Sequence, residues 1–466
     1  MNTFFSLISY GYELFVAFGL YVLILVGFFL LFKKPVYAYY LTVFTIPFKS
    51  LYIWMGTNIE VWKLMSAMSL VVYGPKILML NSHKIRKNPN IVWLLFFITY
   101  TLFITIVFPF TIPDTDKHIM AGGFFKNGGR IIFQIVFFLI TYNLILWPSY
   151  IFNNVNQVFS TFRVIVISVI SLAVLGLVQL VSLTATGYDP FPIHRIHGFD
   201  NTGGMIVMQG FEGVQRLNSL AGEPKHFAIA IIIGFLILMI HRLNNIRIIR
   251  HELPVIGIFL VCLLATYSTT GFIWFGFTIF FILSLYRQKF SRMAFVLIAL
   301  SSVSLFIINS GTGGSEANSA YIDQAINKTG LEPQDEAVLG YFKNNPFEAI
   351  TGLGLGNIHH YAVDYLPPNF PIFRDTPFKG NTGFFLLLGD VGMIGILLFT
   401  VFIAKLILRK TVKSTEEKRQ KVLEHILLIS FILFSMRYFE LFYVISGISL
   451  YYNAPSNKQQ IQKDEL

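Results

Sequence analysis

Residues 223–242 read Glu223-Pro-Lys-His-Phe-Ala-Ile-Ala-Ile-Ile-Ile-Gly-Phe-Leu-Ile-Leu-Met-Ile-His241-Arg242. Ionisable groups stand only at the two ends. The run 226–242 matches the roughly 17–25 residues that cross about 30 Å of hydrocarbon. Runs of this kind recur: 13–32, 36–55, 60–80, 91–112, 130–148, 163–183, 252–268, 271–287, 292–309, 382–408 and 423–445. The second is interrupted by Pro47, Lys49 and Ser50. Backbone groups in lipid must pair internally, so each run is predicted to be a helix. The expected fold is all-α, a polytopic transmembrane bundle of about 11–12 spans with a large extracytoplasmic loop.

Composition agrees. Of 466 residues 55% are hydrophobic and only 13% charged, with mean hydropathy +0.65. A soluble domain carries about twice that charge. The net charge of +11 does not imply nucleic acid, because the basic residues lie mainly in short loops between apolar runs. Cys262, the one cysteine, sits inside an apolar run, which rules out an internal disulfide and a thiolate metal site. The first run is too long for a signal-peptide core and is read as a retained span.

Charge asymmetry sets the predicted topology. Lys33-Lys34, His83 to Lys87, His241 to His251, Arg287 to Arg292 and Arg409 to Lys421 all fall on one side when the spans alternate. That side is assigned to the cytoplasm. The other receives 113–129, 184–225 and 310–381. The stretch 423–452 either crosses once or breaks near Arg437 and turns back. Along the chain the expected segments are N-terminal helices 1–183, a first outer loop 184–225, central helices 226–309, a large outer loop 310–381, and C-terminal helices and tail 382–466. Both long loops are rich in aromatic residues, as ordered functional loops are. Residues 316–343 show helical spacing and are expected to lie along the interface.

The candidate site residues are cations and polar groups predicted to lie on the outer face. In Arg216-Leu-Asn-Ser-Leu-Ala-Gly-Glu223-Pro224-Lys225-His226, Pro224 suits the first helical position. Glu223 then stands at the positive helix end, with Lys225 and His226 in the first turn. The plainer reading is a dipole-complementing acid flanked by interfacial anchors. The functional reading is an anion site, because helix N-termini and arginine forks both hold phosphate. Arg130 opens another span. Arg437 lies about 20 Å up its span from Glu424 and needs a partner or a wet cavity; Glu440, three residues on, is the expected partner. His359 and His360 are candidates for a base or for substrate binding. They follow Gly352-Leu-Gly354-Leu-Gly356-Asn357, whose alternating glycines allow close backbone approach. Lys379 and Asn381 precede the last long span, where Asn381 or Thr382 is placed to cap the helix. Asp390 in that span should face the bundle. No metal and no cofactor is expected.

Read in order, these elements resemble the integral-membrane O-antigen polymerase and O-antigen ligase superfamily. They are the Arg216-to-Glu223-Pro224 segment, the polar break Ser268-Thr-Thr-Gly271, a large loop ending in Gly-x-Gly-x-Gly-Asn, and Gly380-Asn381-Thr-Gly-Phe-Phe-Leu with Asp390-Val-Gly392-Met-Ile-Gly395. The resemblance covers roughly 120–400. Ligase-like members carry a histidine just before that Asn, where this chain has Gly380, which favours polymerase over ligase. The resemblance implies a glycosyltransferase of lipopolysaccharide-type biosynthesis in the bacterial cytoplasmic (inner) membrane, with its active site facing the periplasm. It would move a growing glycan from a polyprenyl diphosphate onto the next lipid-linked repeat unit. Its partners would be undecaprenyl-diphosphate-type oligosaccharides and membrane lipid, with a chain-length regulator and a flippase as candidate partner proteins and no nucleic acid. The implied roles are catalytic for Arg216, Glu223, His359 and His360, and substrate-binding for Arg130, Lys225, His226, Lys379, Asn381 and Arg437. The competing functions are a ligase using a different acceptor and a transporter of lipid-linked sugars. A transporter of the repeat-built kind would show internal symmetry, which the sequence lacks. On the polymerase reading, Arg216→Ala abolishes polymer while protein level holds; normal polymer length in that variant would refute the assignment.

Overall fold

The computed structural model describes residues 2–54, 58–78, 88–107, 130–186, 190, 217–286, 331–367, 378–408 and 416–454. Among these the chain is almost entirely helical, in line with the expected class. The helices are α1 (Asn2–Lys33), α2 (Pro35–Thr45), α3 (Val61–Leu78), α4 (Pro89–Val107), α5 (Arg130–Ile151), α6 (Asn156–Thr186), α7 (Pro224–Leu243), α8 (Glu252–Ala265), α9 (Thr269–Leu285), α10 (Pro333–Asn344), α11 (Pro346–Thr351), α12 (Ile358–Ala362), α13 (Gly383–Ile407), α14 (Glu416–Met436) and α15 (Leu441–Tyr452). Five stretches are long and apolar enough to cross a membrane: α4, α6, α7, α13 and residues Ile131–Ile151 of α5. Phe18, Leu25, Phe280 and Leu397, each at least 60% exposed, show apolar surface turned outward, as a lipid solvent allows.

One expected span is corrected, and the stretch 423–452 takes the second of its two expected forms. The run 36–55 is not one helix: α2 ends at Thr45, Pro47 follows, and the chain enters a hairpin of β1 (Tyr52–Trp54) and β2 (Asn58–Glu60), with Ile53 opposite Ile59. The run 423–445 is likewise broken. Helix α14 stops at Met436, residues 437–440 are non-helical, and α15 starts at Leu441. The expected span 292–309 lies outside the described residues.

Two compact units form, each discontinuous in sequence. The first is 1–73 with 151–325. Its centre is α7, buried on nearly every residue and packed by α6, α8 and α9. A helix apolar all round requires such enclosure. Gly176, Gly234 and Gly271 make room: a Cβ at these positions would meet Phe227, Phe259 and Ala228 respectively. One end of this unit gathers the start of α7, the α8–α9 break and the 46–50 turn. Leu217 N–H donates to Ala265 O at 3.0 Å, and Ser50 N–H to Leu220 O at 3.0 Å. The other end gathers 153–157 and 241–252, where Arg163 Nε donates to Ile248 O and Arg242 pairs with Glu252 at 3.5 Å.

The second unit is 74–150 with 326–466. Here α13 packs along α4, and an aromatic core centres on Phe399 against Phe97 (5.0 Å between ring centroids), Tyr142, Phe434 and Phe442. The α15 helix turns back beside α13: its start lies near Phe434, and Asn453 Nδ2 reaches Leu406 O at 3.1 Å, while Asn88 Nδ2 reaches Leu450 O. This places the ends of α13 and α15 with the start of α4. The opposite end holds Thr105, Gln134, Asp390 and the short helices α10–α12.

Of the segment 316–343, expected to be helical, the described part forms α10, whose apolar face packs inside the unit, with Ala337, Val338, Tyr341 and Phe342 against Leu353, Ile358, Ala362 and Leu388.

Non-helical backbone near the spans is the costly part of this architecture. Between α11 and α12, residues 352–357 lie against α13 at its kink, where Gly392 leaves helical geometry (φ 61°). Gly352 (φ 80°) faces it backbone to backbone, and a Cβ there would sit 2.5 Å from Gly392 N. Gly352→Ala therefore combines left-handed strain with a collision that only backbone movement relieves. It should destabilise unit two by more than the roughly 1–3 kcal/mol of strain alone. By contrast, Gly276 in α9 has open space around its Cβ position, and Gly276→Ala should gain about 0.5–1 kcal/mol of helix stability. Thermal unfolding of the two purified variants, read side by side, checks both signs.

Candidate functional site

The polar end of the second unit is organised by five residues, Phe378-Lys379-Gly380-Asn381-Thr382. Thr382 caps α13, its Oγ1 accepting from Phe385 N–H at 3.1 Å. Asp335, fully buried in the first turn of α10, accepts from Asn381 N–H at 2.6 Å and Thr382 N–H at 3.5 Å, both through Oδ1. Its second oxygen, Oδ2, is buried without a hydrogen-bond partner. Lys379 is exposed, and its Nζ lies 5.2 Å from the centre of the Tyr438 ring. Tyr438 N–H in turn approaches Asn381 O at 3.5 Å. Arg437 is 5% exposed and pairs with Glu332 at 3.5 Å.

The sequence offered Glu440 as a partner for Arg437; the structure adds Glu332, which stands just before α10 and about a hundred positions earlier, and ends α14 directly before the arginine. Asp335 was not among the predicted site residues. Sequence offered one signal: an acid two residues after Pro333, with Val338, Tyr341 and Phe342 at helical spacing on an adjoining face.

His359 and His360 stand on α12, with rings 5.4 Å apart. His359 is 3% exposed, its ring edge-on to Phe378, and Nδ1 accepts from Phe378 N–H at 3.4 Å. That nitrogen is occupied by a main-chain donor, whereas His360 is half-buried. The glycine segment before them is satisfied by protein alone. Leu353 N–H and Gly354 N–H donate to Gly389 O and Asp390 O, Gly356 N–H to Asp390 Oδ1 at 3.0 Å, and Leu355 N–H to Thr105 Oγ1 at 3.1 Å. Asp390 thus faces the bundle as expected, and its task is to hold this loop. Gly356 in turn packs on Gln134, one turn into the helix that Arg130 opens.

The other predicted residues belong to the first unit. Glu223 is the N-cap residue of α7, Pro224 its first residue, and Lys225 and His226 follow, as the spacing predicts. Glu223 and Lys225 form an ion pair at 2.7 Å, so the lysine charge is partly spent on its neighbour. Sequence reasoning missed the clamp beneath them. Gln179, buried in α6, accepts from Ser219 N–H at 2.7 Å and donates to Asn218 Oδ1 at 2.7 Å, while Ser219 Oγ donates to Leu172 O. Arg216 lies outside the described residues.

Thus Lys379, Asn381, Arg437 and His359 meet around residues 378–382, and Glu223, Lys225 and His226 share one helix start. No group of three or more His, Cys, Asp or Glu poised for a metal occurs among the described residues. No protein-family model matches the chain, and comparison with curated proteins finds no match.

Burial pushes the Asp335 carboxyl up to about 6, against the opposing pull of the Asn381 and Thr382 N–H groups and the Arg437 charge. A folded-state value above the unfolded one, near 3.9, means that the unfolded chain releases this proton first. Asp335 therefore favours the folded state fully below about pH 4, and that contribution is lost as pH rises to about 6. The effect is on the order of 3 kcal/mol at most. Hydrogen exchange of α10 should show weaker protection at pH 7 than at pH 4.5, after correction for intrinsic exchange. In Asp335→Asn this difference should shrink; an unchanged difference assigns it to other groups.

Proposed function

We propose that the chain is a membrane glycosyltransferase of the polysaccharide polymerase type, which transfers a growing glycan from a polyprenyl diphosphate to the next lipid-linked repeat unit. The observation that carries this reading is the convergence of Lys379, Asn381, Arg437 and Asp335 at one end of an apolar helix bundle. Cations at the rim of a hydrocarbon-soluble scaffold suit a ligand with an anionic head and an isoprenoid tail.

The reaction is a displacement at the anomeric carbon. The acceptor hydroxyl oxygen forms the new bond, the bond from that carbon to the diphosphate oxygen breaks, and its electron pair leaves with the diphosphate. The chemical need is to hold the charge that develops on the leaving group and to take up the hydroxyl proton. Lys379, exposed at this rim, suits the first task. Arg437 is nearly buried and engaged by acids, and suits positioning. For the second task the half-buried His360 is better placed than His359, whose Nδ1 accepts from Phe378 N–H, or Asp335, whose carboxylate is fully buried and holds the residues before α13. Phe347, exposed on α11, suits stacking on a sugar face.

On this reading a deletion strain retains single lipid-linked units. A ligase deletion would instead accumulate long lipid-linked polymer, and a transporter deletion would confine the units to the cytoplasmic leaflet. Because Lys379 is exposed, Lys379→Ala should leave folding intact and lower polymerisation about 10²–10³-fold, the usual effect of removing one charge donor. A rate within twofold of wild type would remove Lys379 from the site.

A further inference from the structure

Away from the polar end, where α1 gives way to α2, the first unit carries two cavities that meet. One is a polar pocket of about 560 Å³ lined by Lys34, Tyr37, Asn154, Gln157 and Ser160 among others, none of them acidic. Its neighbour is an apolar groove of about 430 Å³ lined by Gly19, Val22, Val26, Leu30 and Phe44 among others. Tyr37 and Tyr40 belong to both and form the step between them. Their rings pack edge to face at 6.0 Å, and the Tyr40 hydroxyl donates to Gln157 O at 3.3 Å. Tyrosines with one wet and one apolar side mark the depth of a membrane interface.

The dimensions are those of one leaflet. Gly19, Val22, Val26 and Leu30 recur on one stripe of α1, and the 11 helical steps from Gly19 to Leu30 rise about 16 Å. That is half of a roughly 30 Å hydrocarbon core. At the polar end Lys34 stands with its Nζ 5.6 Å from the Tyr37 ring centre. Both α2 and α6 begin there, so their positive ends add to its charge.

We propose that this composite cleft binds one anionic phospholipid of the bilayer, its headgroup at Lys34, Asn154 and Ser160 and one acyl chain along α1. The argument is independent of any enzymatic reading. A zwitterionic lipid would satisfy the groove but bring a second positive charge beside Lys34, and no acid among the residues that line the pocket would meet it. The phospholipid is preferred to a polyprenyl diphosphate because a groove of about 16 Å matches one acyl chain within one leaflet, whereas a much longer isoprenoid tail would overrun it.

The test uses the full chain, purified in detergent, with bound lipid counted by native mass spectrometry after incubation with equal phosphatidylglycerol and phosphatidylcholine. Phosphatidylglycerol should be retained preferentially. Lys34→Glu should lower its retention about fivefold or more, since one cation near an anionic lipid is worth about that factor. Gly19→Phe plugs the groove in a position where a Cβ meets nothing within 4 Å, so the helix tolerates it. It should reduce binding of long-chain phosphatidylglycerol and spare a dihexanoyl analogue. Arg250→Glu, an exposed charge change on the same unit, should leave retention unaltered. Equal retention of both lipids, wild-type retention in both cleft variants, or displacement by an equimolar polyprenyl phosphate would each overturn the proposal.

Discussion

The constraint on which the second unit depends is the pairing of non-helical backbone where water is scarce. Residues 352–357 leave helical geometry beside α13, yet Leu353, Gly354, Leu355 and Gly356 all find acceptors, two of them main-chain carbonyls of α13 itself. An unsatisfied peptide group at such a place costs several kcal/mol. Asp390 supplies a main-chain oxygen and a carboxylate oxygen to this task, which accounts for an acid inside an apolar helix. The close approach needed for these bonds explains why glycine occupies 352 and 392.

That inserted loop governs the polar end. With residues 352–357 tied to α13, α12 follows directly and presents His359 to Phe378, and α10 packs across the same surface. Asp335 then closes the arrangement by holding the two residues before α13. A loop secured to the bundle by main-chain bonds is a platform on which charged groups keep their positions. In the first unit the same economy recurs in another form: buried Gln179 satisfies the Asn218–Ser219 turn that delivers Glu223 and Lys225 to the start of α7. The rigid side-chain amide of one helix orders the entry to the next.

Sequence periodicity and charge were enough to find most helices, a cap at Asn381 or Thr382, which the structure gives to Thr382, and the first turn of α7. Each is decided within a few residues: Pro224 has a free choice only at a helix start, and Thr382 can accept only from the turn that follows it. The partners of Arg437, the importance of Asp335 and the division into two interleaved units were not legible. Each joins residues far apart in the chain, and local spacing carries no information about which distant element will meet a given side chain.

Taken alone, the amino-acid order determined the solvent of this protein, because apolar runs of membrane length with charges confined to their ends have no other stable home. It also determined which residues are scarce enough to matter. Only the tertiary structure decided that α14 stops short of Arg437 and that α15 folds back. The same apolar string would serve equally for one long helix or two short ones, and the choice falls to packing against α13 and to the acids of a loop helix that no local pattern connects to it.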